Sequence, residues 1–276
     1  MGLTREKVST RTKIFTVFTL PIPFQRKRLT ASAEWSSILP MPRPQVTFTG
    51  SRPLVVGSFG SPAAIPVTTA AQAAGACDVL EIRLDILAAS GMRVSRELWA
   101  HLKDLPLLFT ARRKEEGSPV DLSPDERSEL LRIALADAAI IDIEVSSIGE
   151  MKDIISEVRA QGIPWVASYH DFDKLPPQET LADAASKAKQ AGADLFKSAA
   201  RLHQPSDISR LADFQLADHG LPVATMGMGN LAPVSRLLCA QCGSVLNYGY
   251  IGDTPTAPGQ WSAAFLKQAI AGLTMD

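Results

Sequence analysis

The chain is short of cysteine and of long apolar runs, and each shortage excludes a class of protein. Three cysteines in 276 residues are too few for a disulfide framework. Cys239 and Cys242 have the C-x-x-C spacing, but no second Cys or His pair lies at zinc-binding distance along the sequence. We therefore expect them to be buried in packing, and the protein to occupy a reducing compartment. The apolar stretch Ile14–Phe24 has 11 residues, too few to span a bilayer.

The chain also lacks a basic patch in its main body. The formal net charge is −1, and residues 1–44 carry eight Lys or Arg and two Asp or Glu, which leaves 20 basic and 27 acidic residues in the remainder. An acidic body argues against nucleic acid as a partner. With 46% hydrophobic and 21% charged residues, the composition is typical of soluble globular proteins and predicts neither disorder nor membrane insertion.

Residues 1–45 are predicted to lie outside the fold. The basic run Gln25–Arg28 stands between the apolar stretch and the small residues Ala31–Ala33, where a secretory signal is uncharged. A basic organelle-targeting segment is one interpretation. We favour a disordered extension, or a start codon placed too early with Met41 as the true first residue. The predicted folded domain is 46–276.

Apolar, β-branched runs recur regularly after residue 45, and the segments between them have helical character. The runs are Pro53–Phe59, Asp78–Asp85, Pro106–Arg112, Ala139–Val145, Pro164–Phe172, Ala193–Ala199, Pro222–Met228 and Ser244–Tyr250. Ser123–Glu126 offers a capping serine, a proline and two acids, and the helix-like stretches 146–161 and 176–191 each end at a glycine. This repeated alternation predicts an α/β fold, a single-domain (β/α)8 TIM barrel.

A doubly wound open sheet is the main alternative to the barrel. Such sheets usually have fewer strands and a glycine-rich first turn. Gly57–Gly60 follows the first strand without the full dinucleotide fingerprint, which favours the barrel.

Polar side chains follow the ends of six predicted strands, where a barrel of this kind carries its active site. With alternate residues pointing inward, the inward set is Glu81, Arg83, Asp85, Thr110, Arg112, Asp142, Glu144, Ser168, His170, Lys197, Met226 and Met228. A single such cluster is commonly a structural ion pair. Convergence of so many charges on one mouth predicts a catalytic site.

Lys197 lies in the middle of an apolar strand, and His170 ends the preceding one. A lysine removed from water is usually paired with a carboxylate or shifted toward its neutral, nucleophilic form. A neutral amine can attack a ketone, and the resulting iminium acidifies the neighbouring carbon, so that an imidazole can remove a proton and then protonate a leaving hydroxyl. Glu116 is the best candidate to fix the histidine tautomer.

Three arginines, Arg83, Arg112 and Arg236, are expected at the same mouth. They suit an anionic or hydroxyl-rich ligand, and their field lowers the pKa expected for Lys197.

The motifs occur in an order that resembles the type I 3-dehydroquinate dehydratases, the Schiff-base enzymes of the shikimate pathway. The resemblance covers about residues 46–275 and rests on Glu81–Asp85, Thr110–Arg112 with Glu115–Gly117, Ser168–Phe172, Lys197–Ala199, Met226–Met228 with Ser235–Arg236, and Thr256–Gln260. It implies dehydration of 3-dehydroquinate to 3-dehydroshikimate by a cytoplasmic enzyme that needs no metal or cofactor. A homodimer is expected, with no nucleic acid or membrane partner.

The same resemblance implies a role for each site residue. Lys197 would form the imine, His170 would be the acid and base, Glu116 would orient His170, and Asp142 would tune the charge of the Lys197–His170 pair. Substrate would contact Glu81, Arg83, Arg112, Met226, Met228, Tyr248, Thr256 and Gln260, while Arg236 would bind its carboxylate. Thr256, Tyr248 and Ser118 stand where serine, phenylalanine and glycine are usual in the family.

Two alternatives keep the barrel and change the function. One is another lysine-imine enzyme, an aldolase or transaldolase, which would need a phosphate cradle after strands seven and eight. The other is a catalytically silent barrel retained as a binding module, which would be expected to have lost one of Lys197, His170 and Glu116.

Overall fold

The computed structural model describes residues 44–48 and 52–273. Eight parallel strands form its sheet: β1 Leu54–Phe59, β2 Val79–Arg83, β3 Leu107–Thr110, β4 Ala138–Glu144, β5 Trp165–Asp171, β6 Leu195–Arg201, β7 Val223–Met228 and β8 Leu246–Ile251. From β1 to β7 each strand pairs with its sequence neighbours, and β8 pairs with β1. The N–H of Val245, just before β8, also donates to the carbonyl of Val223 on β7 at 3.2 Å, so the sheet curls into a nearly closed barrel. The predicted fold is confirmed.

Eight helices separate or follow the strands. They are α1 Ala70–Ala76, α2 Leu84–Ala89, α3 Pro124–Ala134, α4 Lys152–Ala160, α5 Gln178–Gln190, α6 Pro205–Leu216, α7 Ala232–Gln241 and α8 Ala263–Ala271. The start of α3 is as predicted, because Ser123 and Glu126 form a reciprocal capping box before Pro124.

Several element boundaries differ from those predicted, as at the ends of β3 and β6, and two of the differences matter for the site. The stretch 146–161 is not one helix, since a 3-10 turn over Val145–Ser147 precedes α4. Strand two ends at Arg83, and Asp85 lies in the first turn of α2. The side chain of Asp85 nevertheless reaches Arg83, because a helix that begins directly after the strand keeps the two residues adjacent.

Buried apolar side chains form two clusters on opposite faces of the sheet. One fills the space between strands and helices and includes Trp99, Phe109 and Phe196. The other lies within the barrel and includes Val166 and Leu195. The polar residues of β2 to β6 lie above this inner cluster, so that the apolar layer closes the barrel beneath them.

The seam between β7 and β8 is bridged by side chains. Thr225 N–H donates to Gln215 Oε1 at 3.1 Å and Gly227 N–H to Ser235 Oγ at 3.0 Å. Across from them, Arg236 Nη1 donates to the carbonyl of Tyr248 at 2.7 Å. Gln215 of α6 and Ser235 of α7 thus bond to amides of β7, while Arg236 of α7 contacts both edge strands, through Met226 Sδ and the carbonyl of Tyr248.

Most of the predicted extension, 1–43, lies outside the described residues, and its character stays a prediction. Within 44–48, Val46 and Phe48 pack against the inner cluster. No helix in 44–48 or 52–273 combines the length and apolarity that crossing a membrane requires.

Candidate active site

A pocket opens at the carboxyl ends of the strands, and the structure brings the predicted site residues together in it. It is lined by Glu81, Arg83, Arg112, Glu116, Gly117, His170, Phe172, Lys197, Ala199, Met226, Met228, Arg236, Tyr248, Thr256, Ala257 and Gln260. Of the residues predicted to have a catalytic or substrate-binding role, Asp142 alone is not part of this lining; it contacts Lys197 from outside it. Asp85, Thr110, Glu144 and Ser168, which strand periodicity also placed at the mouth, lie outside the lining. Within the described part of the chain, no group of three or more His, Cys, Asp or Glu side chains is arranged to hold a metal ion.

Lys197 is buried and forms an ion pair with the carboxylate of Asp142. Its Nζ lies 2.9 Å from Asp142 Oδ2, while Asp142 Oδ1 accepts hydrogen bonds from Ser168 Oγ at 2.6 Å and from Arg112 Nη1 at 3.0 Å. The ring of Tyr248 faces the same ammonium, with 4.2 Å between Nζ and the ring centroid. The amine is therefore enclosed by one anion and one aromatic face.

This enclosure shifts the ionisation of both partners. Burial lowers the pKa of Lys197, and Arg112 lowers it further, although Asp142 opposes the shift. Burial alone would raise the pKa of Asp142, but Arg112 and Lys197 outweigh it and hold that pKa well below its usual range. Asp142 is thus ionised at neutral pH, and Lys197 is easier to deprotonate than a surface lysine.

Glu116 holds His170 through a single oxygen. Glu116 Oε2 lies 2.9 Å from His170 Nδ1 and accepts the backbone N–H of His170, also at 2.9 Å. Its other oxygen accepts from Ser146 Oγ at 2.8 Å. With Nδ1 engaged, the other ring nitrogen, Nε2, is left for proton transfer.

Burial acts in opposite directions on the two members of this pair. It raises the pKa of the Glu116 carboxyl to about 7, with Arg112 opposing the shift. It lowers the pKa of His170 well below its usual value, and the cations Arg112 and Lys197 add to that effect. The imidazole is therefore neutral at physiological pH and able to accept a proton.

Glu81 and Arg83 are held by internal partners at the wall of the pocket. Glu81 accepts from Thr110 Oγ1 at 2.8 Å and from Ser58 Oγ. Arg83 makes a bidentate pair with Asp85 at 2.8 and 2.6 Å. These contacts fix both side chains before any ligand binds, which is the preorganisation expected of groups that read hydroxyls.

Arg236 is a buried cation without a carboxylate. It is 1% exposed, and no Asp or Glu of the described residues lies within ion-pair distance of it. Its Nη1 contacts Tyr248 O and, at 3.5 Å, Met226 Sδ, and its Nε has no hydrogen-bond partner among the described residues. Burial lowers its pKa to about 10. A buried guanidinium without a counter-ion has the chemistry to pair with an anion.

The loop after β8 covers the pocket and is fixed by its own side chains. Gln260 Oε1 accepts from the backbone N–H of Thr256 at 2.8 Å and from its Oγ1 at 2.9 Å. Gly229 N–H donates to Pro258 O at 2.9 Å. At Gly60, a side chain would overlap the carbonyl of Thr254. The backbone of the loop therefore lies directly against the backbone at Gly60 and Gly229.

Some functional contacts were not predicted from the sequence. Ser146 and Arg127 support the site from a 3-10 turn and from α3, and neither lies at the inward-pointing position of a strand end. Strand periodicity gives no signal for side chains that enter from a helix or turn. The capping pattern located α3 but not which of its side chains points into the barrel wall.

Comparison with known proteins gives the family. The model of the family described as type I 3-dehydroquinase matches residues 62–275. The chain belongs to the type I 3-dehydroquinase family. This confirms the resemblance seen in the motifs and the predicted enzyme class.

Individual relatives agree with this assignment. The chain is 35% identical over 218 residues to 3-dehydroquinate dehydratase of Methanothrix thermoacetophila, covering 79% of this chain and 91% of that protein. It is 34% identical to the enzyme of the same name from Klebsiella pneumoniae, over 70% of this chain and 81% of that one. A type I 3-dehydroquinate dehydratase structure from Clostridium difficile superposes with a TM-score of 0.72 at 24% identity, covering 83% of this chain and 97% of that one; at this identity it supports the fold.

Proposed function

We propose that the protein dehydrates 3-dehydroquinate to 3-dehydroshikimate through an imine on Lys197, with His170 as general base and general acid. The neutral amine attacks the ring ketone, and water leaves as the imine forms. His170 removes a proton from the carbon next to the imine and returns it to the departing hydroxyl. Water then hydrolyses the imine and frees the product and the amine.

The observation that carries the proposal is that a buried amine and a buried imidazole line one pocket, each held by its own carboxylate. Asp142 holds Lys197 and Glu116 holds His170, at 2.9 Å in both cases. The amine has a lowered pKa and the imidazole is neutral. A buried amine that loses its proton more readily than a surface lysine, beside a neutral imidazole that can accept one, suits imine formation followed by proton abstraction.

The unpaired Arg236 supports an anionic substrate. A ligand carboxylate would supply the counter-ion that the surrounding residues do not, and would give the free Nε a hydrogen-bond acceptor. Glu81, Arg83 and Arg112 line the other walls, where they would contact ring hydroxyls. Met226, Met228, Tyr248, Thr256 and Gln260 would enclose the ring and the loop side of the pocket.

The test is mass spectrometry after borohydride reduction in the presence of 3-dehydroquinate, together with an assay of product formation. We expect wild-type protein to turn over and to gain one ligand-sized adduct on Lys197, and Lys197→Ala to do neither. Lys187→Ala, which removes an exposed lysine of α5, is the matched control and should behave as wild type. Turnover without an adduct would refute the imine, and an adduct with no turnover would refute the assigned reaction.

The two alternative functions predict other results in the same experiment. A sugar-phosphate aldolase would form an adduct with a phosphorylated ketose in place of 3-dehydroquinate, and a silent barrel would give neither adduct nor turnover. We further propose a cytoplasmic homodimer, to be tested by sedimentation of the purified protein and by fractionation of cells.

A further inference from the structure

Arg127 is a buried arginine outside the pocket that the proposed reaction does not use. It lies on α3, is 2% exposed, and does not line the pocket. Its Nε donates to the carbonyl of Ala111 at 2.7 Å and its Nη1 to Ser147 Oγ at 3.0 Å. Its Nη2 makes an ion pair with Glu144. Three acceptors from three positions are thus held by one guanidinium, whose donors lie in a rigid plane.

The groups that Arg127 holds fix the backbone at the end of β3. Glu144 Oε1 accepts the backbone N–H of Arg113 at 3.1 Å and Arg112 Nη1 at 2.9 Å. Ala111, whose carbonyl binds Arg127 directly, immediately precedes this pair. Arg127 therefore binds the carbonyl of Ala111 directly. Glu144, whose charge Arg127 neutralises, binds the N–H of Arg113, so the segment Ala111–Arg113 is held at both ends.

The same segment starts the turn that presents Glu116. The carbonyl of Arg113 accepts the N–H groups of Glu116 and Ser118, each at 3.2 Å. Glu116 in turn holds the backbone and ring of His170. A continuous set of contacts thus connects α3 to the imidazole, through groups that are buried or partly buried.

We propose that Arg127 is a positioning residue for His170, acting through Glu144, the segment Ala111–Arg113 and Glu116. The inference rests on the proposed function for its kinetic consequence, though not for its geometry. A lysine at this position could neutralise Glu144 but could not also reach Ala111 and Ser147, because a single ammonium lacks the planar fork. The position therefore requires arginine rather than positive charge alone.

Loss of Arg127 should slow proton transfer more than imine formation. Lys197 is held by Asp142 on β4, and Ser168 on β5 holds that carboxylate independently of the segment Ala111–Arg113, whereas His170 depends on the Glu116 turn. In Arg127→Met we expect kcat to fall by about 10- to 100-fold while the single-turnover rate of imine trapping stays within about threefold of wild type. Arg127→Lys should recover less than half of the lost turnover.

The ionisation of His170 gives a readout that needs no turnover. The charged groups that face it are Glu116 after β3, Arg112 at the end of β3, Asp142 on β4, Lys197 on β6 and Arg83 on β2. With Arg127 gone, Glu144 is neutralised by Arg112 alone, so the cationic field at His170 weakens and its pKa should rise. The chain has four histidines, few enough to follow each by 15N NMR, with His170→Asn to assign the signal.

Arg132→Met is the matched control, because Arg132 lies on the same helix and pairs at the surface with Glu157. It should leave kcat, imine trapping and the His170 titration at wild-type values. Full wild-type turnover in Arg127→Lys, or an unchanged His170 titration in folded Arg127→Met, would overturn the proposal. If Arg127→Met does not fold, Arg127→Lys and Ser147→Ala test the same contacts. If wild type itself neither turns over nor forms an adduct, the proposed function fails, while the NMR titration still decides the role of Arg127.

Discussion

Asp142 binds Lys197 through Oδ2 at 2.9 Å and uses Oδ1 for Ser168 and Arg112. Both oxygens of one buried carboxylate are thus committed, one to the amine and one to groups that hold the carboxylate in place. Asp142 raises the pKa of Lys197 against the effect of burial. This carboxylate therefore opposes the deprotonation that imine formation needs, and its removal has a predictable direction.

In Asp142→Asn, we expect the pH at which imine trapping reaches half its maximal rate to move down, because Lys197 loses the anion that stabilises its charged form. The buried cations Arg112 and Lys197 would also lose the counter-ion they share, which should lower the unfolding free energy by about 3 to 5 kcal/mol. The pH dependence of single-turnover borohydride trapping measures the first effect, and denaturant unfolding the second. A midpoint that moves up would contradict this account of Lys197.

Turnover should be lost as the pH falls through about 7. Burial raises the pKa of Glu116 to about 7, and once protonated this carboxyl can no longer hold the Nδ1–H of His170 as an anion. The sign follows from the raised pKa, since the active, ionised form exists only above it. In Glu116→Gln the limb near pH 7 should disappear and kcat should fall by about 100-fold. The measurement is kcat against pH. If kcat of Glu116→Gln still fell as the pH dropped through about 7, the titrating group would be another residue.

Gly60→Ala should impair closure of the loop after β8. An added Cβ at Gly60 would overlap the carbonyl of Thr254 in that loop, so the loop must shift outward and Gln260 with it. We expect KM for 3-dehydroquinate to rise by about 10-fold or more. Gly75→Ala, where a Cβ would meet nothing within 4 Å, is the control and should leave KM unchanged. An unaltered KM in Gly60→Ala would show that the loop does not depend on this contact.

Tyr248→Phe should stabilise the unliganded protein. The Tyr248 hydroxyl is buried and has no hydrogen-bond partner among the described residues, which costs about 1 to 3 kcal/mol. Removing it keeps the ring that faces Lys197 Nζ. We expect an unfolding free energy higher by about 1 kcal/mol and imine trapping at the wild-type rate. A large loss of trapping would instead assign the hydroxyl to the reaction.

The sequence predicted the barrel and the strand-borne residues of the pocket because both follow from periodicity, whereas Tyr248, Thr256 and Gln260 were predicted from the family resemblance. Alternation along a strand puts Lys197 and Asp142 on the inner face, and parallel strands bring their carboxyl ends to one mouth. Asp85 was placed one element too early, since a helix that starts without a loop continues the apolar pattern of the strand before it.

Contacts from outside the sheet could not be predicted in the same way. Arg127 follows Asp125 and Glu126 in a helix whose exposed face is also charged, so composition gives it the appearance of a surface residue. Its burial goes with its contacts to Ala111 after β3 and to Glu144 at the end of β4. Those contacts exist only in the assembled barrel, which no local pattern encodes.

The bridged seam between β7 and β8 has a genetic consequence. Where strands are joined by their own amides and carbonyls, a point mutation cannot delete the bond, because every residue except proline carries the same donor and acceptor. Across this seam one bond, from Val245 N–H to Val223 O, is of that kind. Other amides and carbonyls of the two edge strands bond to the side chains of Gln215, Ser235 and Arg236, each of which a single codon change can remove. Point mutations can therefore change how the barrel closes at this seam, next to Arg236, the cation proposed to bind the substrate carboxylate.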